Sequence, residues 1–174
     1  TPDCDELSLS EPMSSEDIDA GVRENVRRKY EAVSDRLSED TVVICADTAV
    51  VVRESSTAVR CLGKPPVDGW PQTVAEWFAA YYSQGAHWVR TCFAVTASDC
   101  SAVEVVETEV KFRPDACELV PWYLSTKESI GKAGGYGLQG AGSVFASEVR
   151  GSLSNVIGLP LERVLPALQS VGVV

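Results

Sequence analysis

Residues 41–52 read TVVICADTAVVV, two apolar runs broken only by Asp47 and Thr48. Positions 41–46 are β-branched and apolar on both faces, the pattern of a strand buried in a sheet, and 49–52 repeat that character. A carboxylate flanked this way costs free energy unless a partner or a task holds it. Asp47 is therefore expected at a strand end, where loops of α/β sheets form ligand crevices. Upstream, Ser14-Ser15-Glu16-Asp17 offers cap hydroxyls and first-turn carboxylates. Ile18, Val22, Val26, Tyr30, Val33 and Leu37 then recur every three or four positions, predicting an amphipathic helix to about Ser38. Downstream, the pattern gives a short strand at 59–62 and a helix from Pro71, with Trp77, Phe78, Tyr81 and Tyr82 assigned to the core. A hairpin follows, from 87–96 and 102–113 around the polar turn Ser98-Asp99-Cys100-Ser101. A helix near 116–125, a glycine-rich loop at 131–142, and a small strand or turn at 151–159 come next. In the closing helix, Pro166 must sit in the first turn or kink it. Helices interleaved with strands imply an α/β domain with a mixed central sheet.

The chain has 174 residues, 45% of them hydrophobic, enough for one globular core without metal or disulfide staples. No apolar run approaches the ~20 residues that span a bilayer, and no secretion signal is expected. Fifteen basic against 25 acidic residues leave a formal net charge of −10, which disfavours nucleic acid as a partner. A small phosphate ligand stays compatible, because a few lysines and a cation overturn the global field locally. The six cysteines form no CxxC pair and several lie in apolar runs, so a reducing compartment is expected and a Cys/His zinc site is not. His87, the only histidine, is thin ground for a Ser-His or Cys-His nucleophile.

Two motifs fail on context. Gly135-Tyr136-Gly137-Leu138-Gln139-Gly140 fits GxGxxG without a preceding strand. Gly131-Lys132 resembles the end of a phosphate loop, but Thr126 replaces its first glycine and Ala133 its magnesium-holding hydroxyl. More informative are Asp3, Asp5 and Glu6, which with Asp47 offer hard oxygen ligands for magnesium or manganese, or else a solvated acidic terminus. Lys64, stiffened by Gly63 and Pro65, could aim an ammonium at phosphate, or be a solvated turn lysine. Lys29 projects from the first helix, as an ordinary snorkelling lysine also would, and Gln139 could read a base edge from the glycine-rich loop, or be a solvated loop amide.

Taken in order, these segments resemble the Maf family of nucleoside triphosphate pyrophosphatases, house-cleaning hydrolases linked to septum formation. Asp3-Cys4-Asp5-Glu6 is similar to the family's DIDE, Arg28-Lys29-Tyr30 to its helical lysine, Ala46–Val50 to ADTxV and Gly63-Lys64-Pro65 to GKP. Ser83–Thr91 follows SGxxHxVxT, Lys132–Gly140 the end of DKAGxYGIQG, and Gly151-Ser152 with Asn155–Leu161 completes the match. Departures are Cys4 for isoleucine, Gly131 for the aspartate of DKAG, and Gln84 and Cys92 where glycines are common. The domain is expected to span 1–174 and to lack the family's first strand and its SASPRR phosphate loop.

The resemblance implies a two-lobed α/β architecture with a cleft between the lobes, a homodimer, and a cytoplasmic location. It also implies metal-dependent hydrolysis of a nucleoside triphosphate to the monophosphate and pyrophosphate. In that scheme Glu6 and Asp47 hold magnesium or manganese, Asp47 orients or deprotonates the attacking water, and Lys29 and Lys64 pair with phosphate oxygens. Gln139, with Thr48 nearby, meets the base; a glutamine there is similar to the dTTP/UTP branch, a glutamate to the branch preferring methylated guanine nucleotides. The rival reading is a nucleotide-binding regulator of cell division without turnover.

Overall fold

A computed structural model of the chain describes residues 4–9, 11–38, 40–56, 58–97 and 100–173. Helix α1 (Ser15–Ser34) starts at a reciprocal cap, in which the Asp17 amide donates to Ser14 Oγ while Asp17 accepts from the Ser14 amide. It ends one turn earlier than its apolar period suggests, where Arg36 and Leu37 donate to Val33 and Ser34 and tighten the chain out of the helix. Strand β1 (Val42–Arg53) and β2 (Val59–Leu62) form a hairpin, and helix α2 (Trp70–Ala80) returns the chain for β3 (Ala86–Ala97) and β4 (Cys100–Phe112). Cys100 and Ser101 thus belong to a strand, while Ser98 and Asp99 lie outside the described residues. After α3 (Ala116–Ser125) come two single-turn segments, Ala133–Gly135 and Ala141–Phe145, then β5 (Ala146–Arg150), α4 (Leu153–Ile157) and α5 (Leu161–Ser170).

The α/β class holds, with strand order β2-β1-β3-β4-β5. Every pairing is antiparallel, which corrects the expected mixed sheet. The reason lies in the connections: the two hairpins reverse the chain, while α2 carries it back across β1 so that β3 runs in the direction of β2 and meets β1 in the opposite sense. A second correction concerns β1, which runs unbroken through Asp47 and Thr48, paired with Cys92 and Thr91. Asp47 is thus inside a strand rather than at its end. The two-residue period sends Asp47 to one face of the sheet and Thr48 to the other. A third is the segment at 151–159, read as strand or turn but containing α4, whose Ser152 hydroxyl accepts from the Asn155 amide at 2.9 Å. Pro166 lies inside α5, beyond its first turn.

Helix α1 covers one face, packing Ile18, Val22 and Val26 on Cys45, Val51 and Cys92. On the other face α2 and α3 place Val74, Phe78, Val120 and Tyr123 against Val50, Val89 and Phe112, and α5 sets Val164 on Phe93 and Val95. Of the predicted aromatic stripe, Phe78 and Tyr82 are buried, whereas Trp77 and Tyr81 are partly so. Among the described residues no helix is long and apolar enough to cross a membrane. One asymmetry positions the site. Strand β2 pairs only with Val50–Arg53, so residues 42–49 of β1 have no strand beyond them among the described residues. At this margin a pocket reaches side chains of both faces.

Candidate active site

Asn25 and Lys29 are four residues apart on α1 and therefore project from one side of it, toward β1. The Lys29 ammonium donates to Asp47 Oδ1 at 2.5 Å and to the Ala46 carbonyl at 3.1 Å, and pairs with Glu6 Oε1 at 2.9 Å. Its three hydrogens are thereby committed. Asn25 Nδ2 donates to the other Asp47 oxygen at 3.0 Å. The same amide holds the N-terminal segment: Leu7 N donates to Asn25 Oδ1 at 2.6 Å, and Asn25 Nδ2 reaches the Leu7 carbonyl at 3.4 Å. Glu6 is delivered to Lys29 by that link.

Burial pushes the Lys29 ammonium down, but hydrogen bonds and charge from Asp47 and Glu6 outweigh it and leave its pKa raised. For Glu6 burial acts upward, while Lys29 and the more distant Lys64 charge hold the carboxyl below its ordinary value. The side chains of Lys29 and Asp47 are only 11% and 12% exposed, so this is a nearly enclosed pair with Glu6 at its open side.

A cavity of about 810 Å³ borders this cluster. Glu6, Lys29, Asp47, Thr48, Lys64 and Gln139, the six residues singled out from sequence, all line it. Thr48 enters from the other face, its hydroxyl 2.9 Å from that of Thr91 and 3.5 Å from the Gly158 carbonyl. Lys64 stands on the rim beside Gly63, whose carbonyl accepts from the Gly134 amide at 3.0 Å. Gln139 is exposed at the far side of the glycine-rich segment. Asp5 does not line the cavity, and Asp3 lies outside the described residues.

A family model described as "Maf-like protein" matches residues 1–171. The chain belongs to the Maf-like family. Among relatives of this Maf-like chain, a protein of Clostridium novyi (strain NT) is 36% identical over 159 residues, covering 90% of the chain and 78% of the relative. One from Pyrococcus abyssi (strain GE5 / Orsay) is 36% identical over 143 residues, covering 82% and 71%. Another from Anaeromyxobacter sp. (strain Fw109-5) is 39% identical over 142 residues, covering 79% and 65%. Each of the three is named dTTP/UTP pyrophosphatase.

Sequence reasoning passed over two lining residues of this Maf-like cavity, Asn25 and Lys132. The signal for Asn25 was its place four residues before Lys29; that for Lys132 was masked by the failed phosphate-loop match. His87 is no nucleophile's base here. It is buried, its Nε2 lies 2.7 Å from the Tyr136 hydroxyl, and burial drives its pKa down to about 3. The thiols are unbridged, and burial pushes the Cys61 thiol up to about 12, far from a reactive thiolate. Among the described residues no group of three or more His, Cys, Asp or Glu converges as a metal site. Glu6 and Asp47 do converge on a single cationic centre, at present an ammonium. Two carboxylates suit magnesium or manganese, which typically complete their shell with water and substrate phosphates.

Proposed function

We propose that the chain hydrolyses a nucleoside triphosphate of the dTTP/UTP type to the monophosphate and pyrophosphate. The observation that carries this reading is one cavity that joins paired carboxylates, Glu6 and Asp47, to the lysines 29 and 64 and to the amide of Gln139. The names of the relatives support the same chemistry.

Asp47 is the proposed base. Lys29 and Asn25 each take one of its oxygens, which fixes the carboxylate, while its remaining lone pairs can accept from a water. Lys64 would pair with phosphate oxygens from the rim. Lys29 would do so only by giving up a carboxylate contact. Gln139 would meet the pyrimidine edge, and Thr48, tethered through Thr91, would bound the pocket on the opposite side. Magnesium or manganese would be held by Glu6 and Asp47, and when bound it supplies neutralisation of the charge gathering on the departing pyrophosphate. A homodimer in the cytoplasm completes the reading; six unbridged thiols are in keeping with a reducing compartment.

Pyrophosphate release from a panel of dTTP, UTP and a methylated guanine nucleotide tests the proposal. Asp47→Asn is expected to slow release about 100-fold or more, and an unchanged rate would remove Asp47 from the chemistry. Release that persists undiminished in excess EDTA would remove the cation, and sedimentation as a monomer would remove the dimer.

A further inference from the structure

Four cationic side chains line the cavity, and two are already neutralised. Lys29 is paired with Glu6 and Asp47, and Arg60 with Glu54 at 2.8 Å. Lys64 and Lys132 form no ion pair with any described residue, although Lys64 acts on Glu6 through space. An ammonium left uncompensated on a half-enclosed wall attracts an anion.

The backbone sets the order of these groups along the wall. Gly134 N donates to the Gly63 carbonyl at 3.0 Å, which stitches the residue before Lys64 to a point two residues after Lys132. On its other side Lys132 adjoins Gln139 across Gly137. A Cβ built on Gly137 would lie 3.0 Å from Lys132 Cδ, 3.1 Å from its Cε and 3.1 Å from Gln139 Oε1. The absence of that carbon leaves the lysine stem and the amide side by side. Along the wall Lys132 therefore stands between Lys64 and Gln139.

We propose that Lys132 binds the α-phosphate, the phosphoryl group that stays with the nucleoside, and that Lys64 holds the two phosphates that leave. The assignment rests on the hydrolase reading, because a substrate with its base at Gln139 must lay its first phosphate beside the lysine that adjoins that amide, which leaves the outer phosphates to Lys64. A charge-assisted hydrogen bond at that phosphate serves both substrate and monophosphate product.

Calorimetric titration with UMP and, separately, with inorganic pyrophosphate tests this without turnover. Lys132→Gln is expected to weaken UMP binding about tenfold or more and to leave pyrophosphate binding within about twofold. Lys64→Gln should do the reverse. Lys132→Arg, which keeps the charge, should recover most of the UMP affinity. Gly137→Ala, which removes no charge, should weaken UMP binding by crowding Lys132 and Gln139. Lys111→Gln, on an exposed position of β4, is the control. Equal UMP affinity in wild type and Lys132→Gln overturns the inference, as does a loss confined to pyrophosphate, or an arginine variant as weak as the glutamine one. These outcomes separate from the hydrolase reading, which fails instead if the wild-type protein releases no pyrophosphate from dTTP or UTP while its UMP binding still depends on Lys132.

Discussion

Lys29 spends its whole donor capacity on Asp47, Glu6 and a backbone carbonyl, so its first duty is to let two acids share a small space. Lys29→Met should cost about 3 kcal/mol in urea unfolding at pH 7, the low end for breaking a buried pair because Glu6 keeps 34% of its side chain in water. His87 makes a different demand. Its pKa falls from 6.5 to about 3 on folding, so between those values the unfolded chain binds the extra proton and stability drops as pH falls. The expected slope from this group is about 1.4 kcal/mol per pH unit below 6.5. His87→Gln should flatten it, as read from unfolding midpoints between pH 4.5 and 7. At this scale the site was largely legible: six residues chosen from motif order meet at one cavity. Asn25 and Lys132 received no role, because the spacing of Asn25 to Lys29 and the motif position of Lys132 gain chemical meaning only once a partner carboxylate or an unpaired charge is seen in space.

Among elements, α1 and the β3–β4 hairpin were readable because their apolar periods persist over ten or more residues. Strand β5 and helix α4, five residues each, are too short to establish a period, and the Ser152–Asn155 cap was the only local cue to α4. Strand direction is not encoded locally, which is why the antiparallel sheet emerged only from the connections. The single turn at Ala133–Gly135 depends on glycine in a specific way. Gly134 has φ +68, and a Cβ there would come within 2.6 Å of the Tyr82 hydroxyl, which donates to the Gly134 carbonyl at 2.7 Å. Gly134→Ala is expected to cost about 2–4 kcal/mol from the left-handed backbone and the clash combined, measured by thermal or urea unfolding. Ser14→Ala, which removes half of the α1 cap, should cost about 1 kcal/mol by the same assay.

For the whole molecule, the cavity draws on the N-terminal segment, α1, β1 and the glycine-rich segment, so a ligand there touches four separate parts of the chain at once. UMP at 100 times its Kd should add about 2.7 kcal/mol and raise Tm by roughly 5–10 °C in one transition. Two separated transitions, only one of them moved by UMP, would show that these parts unfold independently. The lone margin of β1 has a further consequence. The polar candidate residues gather there, whereas most of the side chains that keep the molecule folded lie in the apolar layers on either face of the sheet. Selectivity can then drift through positions 139 and 157, both exposed and both lining the cavity, at little expense to thermal endurance. A library randomised at those two codons should yield a majority of members that melt within a few degrees of the parent, whatever base they have come to prefer.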